Sequence, residues 1–113
     1  MTAGIYNMII EQGATFEKTL TIKQANGNPV NLTGYTAAGK IRTKYKSPTS
    51  LIDFTMTFLD PRKDGKLKMS LTAAQTAALE ARNNCVYDVE ITLNGTVQRL
   101  IQGQVDIVPE ATK

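Results

Sequence analysis

Residues 85–108 read CVYDVEITLNGTVQRLIQGQVDIV, and this stretch decides the fold that the sequence predicts. Apolar and polar residues alternate on either side of Asn94-Gly95, which is the pattern of two half-buried strands. Asn tolerates left-handed backbone angles and Gly adopts them without steric cost, so this pair closes a two-residue hairpin turn. We therefore predict strands over 85–93 and 96–108, with Gly103 as a candidate bulge.

The same unit, an alternating run followed by a glycine turn, recurs along the chain. Asn26-Gly27 and Asp64-Gly65 are two further turn signals. The clearest alternation places Ile52, Phe54, Met56 and Phe58 on an inner face, with Asp53, Thr55 and Thr57 outside. The alternating runs predict five more strands, over residues 5–10, 15–23, 36–45, 51–59 and 66–71.

One segment has a helical pattern instead. Thr72-Ala73-Ala74-Gln75 fits a capping box, in which the threonine and glutamine side chains each satisfy a free backbone amide. Alanine-rich sequence continues to Ala81, and Asn83-Asn84 ends the predicted helix. Seven short strands and one short helix predict an all-β chain with an immunoglobulin-like antiparallel β-sandwich. The helix would connect the two sheets, and a small barrel is the alternative.

Length and composition place limits on the function. The 113 residues, 42% hydrophobic and 20% charged, fit a single soluble domain over 1–113 with a flexible tail from about 109. No apolar run is long enough to span a bilayer, and the first residues lack a secretory pattern. We therefore expect synthesis in a reducing cytoplasm and no membrane partner.

Catalytic chemistry has few candidate residues. Cys85 is the single cysteine and histidine is absent, which excludes an internal disulfide, a Cys/His zinc site and a Ser/His/Asp triad. We expect Cys85 to be a small buried side chain. No phosphate-binding or dinucleotide motif occurs. The sequence predicts no cofactor, no metal and no catalytic residue, and the chain is not expected to be an enzyme.

Charged residues supply the candidate site. Lys40, Arg42 and Lys44 share one face of a predicted strand and are the candidate contact for an acidic partner or nucleic acid. The alternative is a solvated face on which these cations pair across strands with Asp88 and Glu90. With a net charge of +3 and only 6% aromatic residues, nucleic acid is not the expected partner. A basic-faced module that binds nucleic acid or glycan remains an alternative.

Two pairs of acidic residues could suggest a metal site or a catalytic site. Asp60 and Asp64 flank a turn, but Arg62 and Lys63 lie between them, whereas a calcium loop needs regularly spaced oxygen ligands. Asp88 and Glu90 could form a carboxylate pair. A glycosidase would also need a cleft with aromatic platforms, which this small chain is not expected to build.

Four segments together carry a family resemblance. They cover nearly the whole chain and are residues 10–16 (IEQGATF), 26–35 (NGNPVNLTGY), 71–79 (LTAAQTAAL), and 87–91 (YDVEI) followed by a glycine turn and 99–103 (RLIQG). In order and spacing they resemble a family of small structural proteins of tailed bacteriophages. The pattern is also similar to the N-terminal domain of phage baseplate upper proteins, without their long C-terminal extension.

The resemblance implies an immunoglobulin-like β-sandwich in the virion, made in the host cytoplasm and without catalytic residues. An adaptor or assembly component of the tail, neck or baseplate, with fibre attachment included, fits this length. A head-decoration protein of the capsid is the alternative. The implied partners are other virion proteins and further copies of the chain, arranged as a homo-oligomer. Residues 5–10 and the tail after Pro109 are the candidate contacts between subunits, although the first strand could instead complete its own sheet.

Overall fold

Two β-sheets pack face to face around one apolar core. The computed structural model describes residues 4–47 and 50–109. The expectations for the first three residues, for loop residues 48–49 and for tail residues 110–113 lie outside this range. The strands are β1 Gly4–Ile5, β2 Met8–Glu11, β3 Phe16–Thr21, β4 Thr36–Arg42, β5 Ile52–Asp53, β6 Thr55–Phe58, β7 Lys66–Leu71, β8 Arg82–Leu93 and β9 Thr96–Val108.

The larger sheet has the strand order β1-β9-β8-β4-β5, and β2 also pairs with β9. The pairs β5–β4, β4–β8 and β8–β9 are antiparallel. The N-terminal segment instead runs parallel to β9, with Gly4 opposite Ile101 and Glu11 opposite Val108. The predicted strand over 5–10 is therefore present as β1 and β2, but it is parallel to its neighbour and not antiparallel as predicted. The sequence could not show this, because alternation of side chains carries no information about strand direction.

The smaller sheet has the order β3-β7-β6 and is antiparallel throughout. The predicted strand over 51–59 is divided between the two sheets, since β5 pairs with β4 and β6 pairs with β7. Phe54, at the crossing, is buried and its N–H donates to the carbonyl of Gly39 at 2.8 Å. The predicted inward and outward faces of this segment are confirmed. The seven predicted strands thus correspond to nine, because two of them are interrupted.

The turn predictions are confirmed in their backbone angles. Asn94 and Gly95 have φ of 50° and 81°, as a two-residue hairpin of mirror-image type requires. Gly65 has φ of 70° and ends a 3₁₀ turn over Arg62–Asp64. The predicted bulge at Gly103 is wrong, because Gly103 pairs regularly with Tyr87. The pairing is irregular at two other places: at Leu100, β9 has one more residue than β8 between successive pairs, and between Arg82 and Cys85, β8 has one more residue than β9.

The helix α1 spans Ala73–Ala77 and connects the smaller sheet to the larger one, as predicted. Its capping box is present: Gln75 N–H donates to the Thr72 hydroxyl at 3.1 Å, and Thr72 N–H donates to Gln75 Oε1 at 2.8 Å. The helix ends before the predicted Ala81. Leu79 turns into the core, where it is 8% exposed, and β8 begins at Arg82.

The core lies between the inner faces of the sheets. Cys85 is 2% exposed, which confirms its predicted burial. Phe54 packs against Tyr87 edge to face, with ring centroids 6.3 Å apart. The buried apolar side chains are Met8, Ile10, Ile22, Leu32, Ile41, Phe54, Leu67, Met69, Leu71, Leu79, Cys85, Tyr87, Val89, Ile91, Leu100, Val105 and Ile107.

Candidate interaction surface

The outer face of the larger sheet carries the charged residues that the sequence analysis selected. On β4 the side chains of Lys40 and Arg42 point away from the core, whereas Ile41 between them is fully buried. Strand register places Lys40 between Asp53 on β5 and Asp88 on β8. Cations and carboxylates therefore alternate across the strands of this face.

Short ion pairs hold that alternation together. Lys40 Nζ lies 3.4 Å from Asp53 Oδ2. Arg99, on β9, contacts both Asp88 and Glu90, at 3.4 Å and 3.6 Å. The acidic residues predicted to pair with the basic face are thus bound by Arg99, while Lys40 binds a third acid. We name these five residues the charge ladder: Asp53, Lys40, Asp88, Arg99 and Glu90.

A hydrogen bond shifts the pKa of one carboxyl group of the charge ladder, that of Asp53. The Ser50 hydroxyl donates to Asp53 Oδ1 at 2.9 Å and is the main cause that lowers the pKa of the Asp53 carboxyl. Burial opposes this effect, and Lys40 and Arg42 add to the lowering. Asp53 therefore stays charged and keeps Lys40 bound. Because the cation of each pair is exposed to solvent, each pair is worth about 1 kcal/mol, and their main effect is to neutralise the face.

The predicted basic stripe does not continue along β4. The strand ends at Arg42, and Lys44 lies in the bend that follows, next to Tyr45 and Lys46. Within the described ranges, Arg42, Lys44 and Lys46 form no ion pair at 4.0 Å or less, and Arg42 acts on Asp53 only at longer range. We name residues 42–46 the basic turn. Its cations are available to a partner, whereas Lys40 is already paired.

An aromatic side chain lies in the middle of the basic turn. Tyr45 is 50% exposed, and its hydroxyl donates to the carbonyl of Gly103 at 3.3 Å. Tyr45 also lines a shallow cavity of about 340 Å³ with Ile5, Val86 and Gln104. The cations of the turn therefore stand beside a depression of mixed lining, which also contains the polar side chains of Asn7 and Gln102. Alternation along β4 predicted the outward position of Arg42. It could not predict that Tyr45 lines this cavity, because Tyr45 lies in the bend after the strand.

The N-terminal edge of the larger sheet exposes apolar side chains. Ile5 is 77% exposed and Ile9 is 64% exposed. A cavity of about 470 Å³ lies beside them, lined by Tyr6, Asn7, Met8, Ile9, Gln104 and Asp106. Residues 5–10 are a predicted candidate contact between subunits, and the exposure of these isoleucines is compatible with that prediction. The same segment also completes its own sheet by pairing with β9, which was the alternative.

The remaining acidic candidates are not brought together. Asp60 and Asp64 lie at the two sides of the 3₁₀ turn. In residues 4–47 and 50–109, no three acidic or cysteine side chains are grouped so that they could hold a metal ion. Over the same ranges the two helical segments have three and five residues, and neither could cross a membrane.

Comparison with known proteins bears on the fold. No family model matches the chain, and no curated protein sequence matches it. Among solved structures, the BTLA ectodomain superposes with a TM-score of 0.51 at 10% identity, covering 90% of this chain and 89% of that one. The chain has an immunoglobulin-like fold. The Lin-41 filamin domain is also similar, with a TM-score of 0.43 at 16% identity over 88% of this chain and 82% of that one.

The likeness is one of architecture. At 10% identity the shared feature is the arrangement of strands, and no binding residue is transferred with it. The immunoglobulin-like β-sandwich predicted from the sequence is confirmed, and the small barrel is not formed. Function has to be argued from the surfaces described above.

Proposed function

We propose that this chain is a non-enzymatic structural protein of a tailed-bacteriophage virion, an adaptor or assembly component of the tail, neck or baseplate. The basic turn is the observation that carries the binding role. The four sequence segments that resemble small tail proteins support the virion assignment. The immunoglobulin-like sandwich is the fold that this resemblance implies, and it agrees with the proposal.

The surface charges favour a defined kind of partner. On the charge ladder every cation is within reach of a carboxylate, so that part of the face has little net field. The basic turn concentrates Arg42, Lys44 and Lys46, which form no ion pair within 4.0 Å in the described part of the chain, although Arg42 lines a small hollow with Asp88 and Glu90. Opposite charge across an interface steers association and fixes register. The proposed neighbour in the virion therefore presents carboxylates to this turn, with a side chain for the cavity beside Tyr45.

A second function is favoured by the same turn. Cations beside a half-exposed tyrosine can also bind a polyanion, with the ring stacking on a base or sugar. A nucleic-acid or glycan binding module is therefore the alternative. Capsid decoration is a further location for the same structural role.

Immunogold electron microscopy of phage particles purified from the host lysate tests the location. Antibody to this chain should label the tail, neck or baseplate. Label over the capsid would replace the adaptor by a decoration protein. Particles without label, with the chain left in the soluble fraction, would overturn the virion proposal and favour the binding module.

A further inference from the structure

The sandwich has four sheet edges, and three of them are poor templates for another strand. In the larger sheet, β5 has two residues. In the smaller sheet, β6 has four residues. The third poor template is β3, which carries Lys18 on the same face as the core residues Phe16 and Leu20. A charged side chain that points inward from an edge strand disfavours pairing with a second sheet.

The fourth edge lacks these protective features. It consists of β1 and β2 with the two residues between them, GIYNMIIE over residues 4–11. This segment contains no proline and no lysine, and its single charge, Glu11, stands at the end. Ile5 and Ile9 expose their side chains on its outer side. An apolar edge without an internal charge or proline is open to pairing with another strand.

The backbone groups of this edge alternate in direction. Tyr6 N–H donates to Gln102 O and Gln12 N–H donates to Val108 O, both at 2.9 Å. The register is constant from Gly4 opposite Ile101 to Glu11 opposite Val108. In a parallel pair, alternate residues of a strand bond to its neighbour. The even-numbered residues therefore bond to β9, and Ile5 and Ile9 direct their backbone groups to the open side. Between them the Tyr6–Asn7 peptide is turned, so that the Tyr6 carbonyl accepts from the Tyr87 hydroxyl of the core.

We propose that this edge is a dimer interface, in which two copies of the chain pair antiparallel about a two-fold axis through Asn7. In that register Asn7 lies opposite Asn7 of the second copy, and Ile5 lies opposite Ile9. Each Ile5–Ile9 pair exchanges two backbone hydrogen bonds. The larger sheets of both copies then form one continuous sheet.

The pattern of the edge selects a second copy as the occupant. The outward sequence Ile5, Asn7, Ile9 has the same side-chain types in both directions from Asn7. An interface of two-fold symmetry must be self-complementary, with each residue and its partner exchanging places across the axis. Here isoleucine meets isoleucine on both sides and no like charges are opposed. The dimer goes beyond the proposed function, since it depends on this edge and not on a virion.

Disulfide trapping tests the register. The double variant Ile5→Cys/Ile9→Cys places cysteines opposite each other across the interface. Opposed residues in this arrangement have Cα atoms about 5.5 Å apart, within the range that a disulfide spans. Oxidation should convert this variant to covalent dimer on a non-reducing gel. Ile9→Cys alone should stay monomeric on the gel, because the two copies of residue 9 lie four residues out of register. Efficient cross-linking of Ile9→Cys alone, or none in the double variant, would overturn this register.

The oligomeric state tests the interface itself. Light scattering coupled to gel filtration should give the wild-type chain twice its monomer mass. Ile5→Lys/Ile9→Lys should elute at the monomer mass, since lysines on an edge strand oppose pairing. Val97→Lys is the matched control, because Val97 is 56% exposed on β9 near the opposite end of the hairpin, and it should stay dimeric. A wild-type monomer at its highest soluble concentration, or a dimer that the double lysine variant retains, would refute the proposal.

Discussion

The side-chain oxygen of Asn7 accepts a hydrogen bond of 2.9 Å from the backbone N–H of Gln104. In a regular parallel pair that N–H would donate to the carbonyl of Tyr6. The Tyr6 carbonyl instead accepts a hydrogen bond of 2.5 Å from the Tyr87 hydroxyl, which reaches it from the core. The Asn7 side chain thus replaces the Tyr6 carbonyl as the acceptor for Gln104. The Tyr6 carbonyl bonds to Tyr87 instead, and this bond connects the N-terminal edge to the core.

Removal of the Tyr87 hydroxyl should weaken that tie. Tyr87→Phe leaves the Tyr6 carbonyl without its donor in a partly buried position. We expect the free energy of unfolding, measured by urea denaturation, to fall by about 1–3 kcal/mol. Tyr45→Phe is the control, since its hydroxyl bond of 3.3 Å to Gly103 is long and the ring is half exposed. Equal losses in the two variants would contradict the special role of Tyr87.

Stability should fall in alkaline solution through the same side chain. Burial is the main cause that raises the pKa of the Tyr87 phenol, and Tyr6 and Tyr45 add to it. Below the unfolded pKa of about 10, both states keep the proton and stability is unaffected. Above it the unfolded chain releases the proton first, so stability decreases as pH rises.

Urea denaturation between pH 9 and pH 11 measures this dependence. The wild type should lose more stability over that range than Tyr87→Phe, which retains only the contributions of the other groups. Parallel curves for the two proteins would show that Tyr87 titrates as it does in the unfolded chain.

A methyl group at Gly103 should displace the N-terminal edge. A Cβ built on Gly103 would overlap the Tyr6 carbonyl oxygen and lie 2.8 Å from the Tyr6 carbonyl carbon, both of them backbone atoms. Gly103→Ala should therefore cost about 1–3 kcal/mol by thermal or urea unfolding. Gly4→Ala lies on the same edge with its nearest contact at 3.7 Å and should change stability little. A wild-type value for Gly103→Ala would mean that the edge is not held there.

The basic turn should determine any affinity for polyanions. We expect weak binding of the wild type to duplex DNA, decreasing steeply with salt because cation contacts release counterions. Arg42→Glu/Lys44→Glu should abolish it, whereas Lys40→Glu should have a smaller effect because Lys40 is already bound to Asp53. Fluorescence anisotropy at several salt concentrations measures both. If Lys40→Glu/Arg42→Glu/Lys44→Glu leaves DNA binding unchanged, the nucleic-acid alternative is refuted.

The Cys85 thiol should be unreactive in the native protein. It is 2% exposed, and burial is the main cause that raises its pKa, with Asp106 adding to the effect and Arg82 opposing it. A thiol reagent such as Ellman's reagent should therefore label the chain only after denaturation in guanidinium. Rapid labelling of the folded wild type would show that β8 opens readily, and would complicate the trapping experiment on residues 5 and 9.

Short-range features of the sequence predicted much of the fold. Asn94-Gly95 closes its hairpin and Thr72 caps its helix because each depends on backbone angles and hydrogen bonds within a few residues. The inner faces at residues 52–58 follow from strict alternation. Of the candidate site, the predicted position on the outer face of β4 is right for Lys40 and Arg42 and wrong for Lys44, which follows the strand, because the sequence does not mark where that strand ends.

By itself the sequence determined that the chain consists of half-buried β-strands with glycine turns and one capped helix, since alternation and turn chemistry are local properties. Only the tertiary structure decided that residues 4–11 run parallel to β9, that the chain changes sheets at Phe54, and that Arg99 takes the carboxylates of Asp88 and Glu90. Strand neighbours, direction and ion-pair partners depend on contacts between distant residues. Alternation is the same whichever strand lies alongside, so no local pattern could specify them.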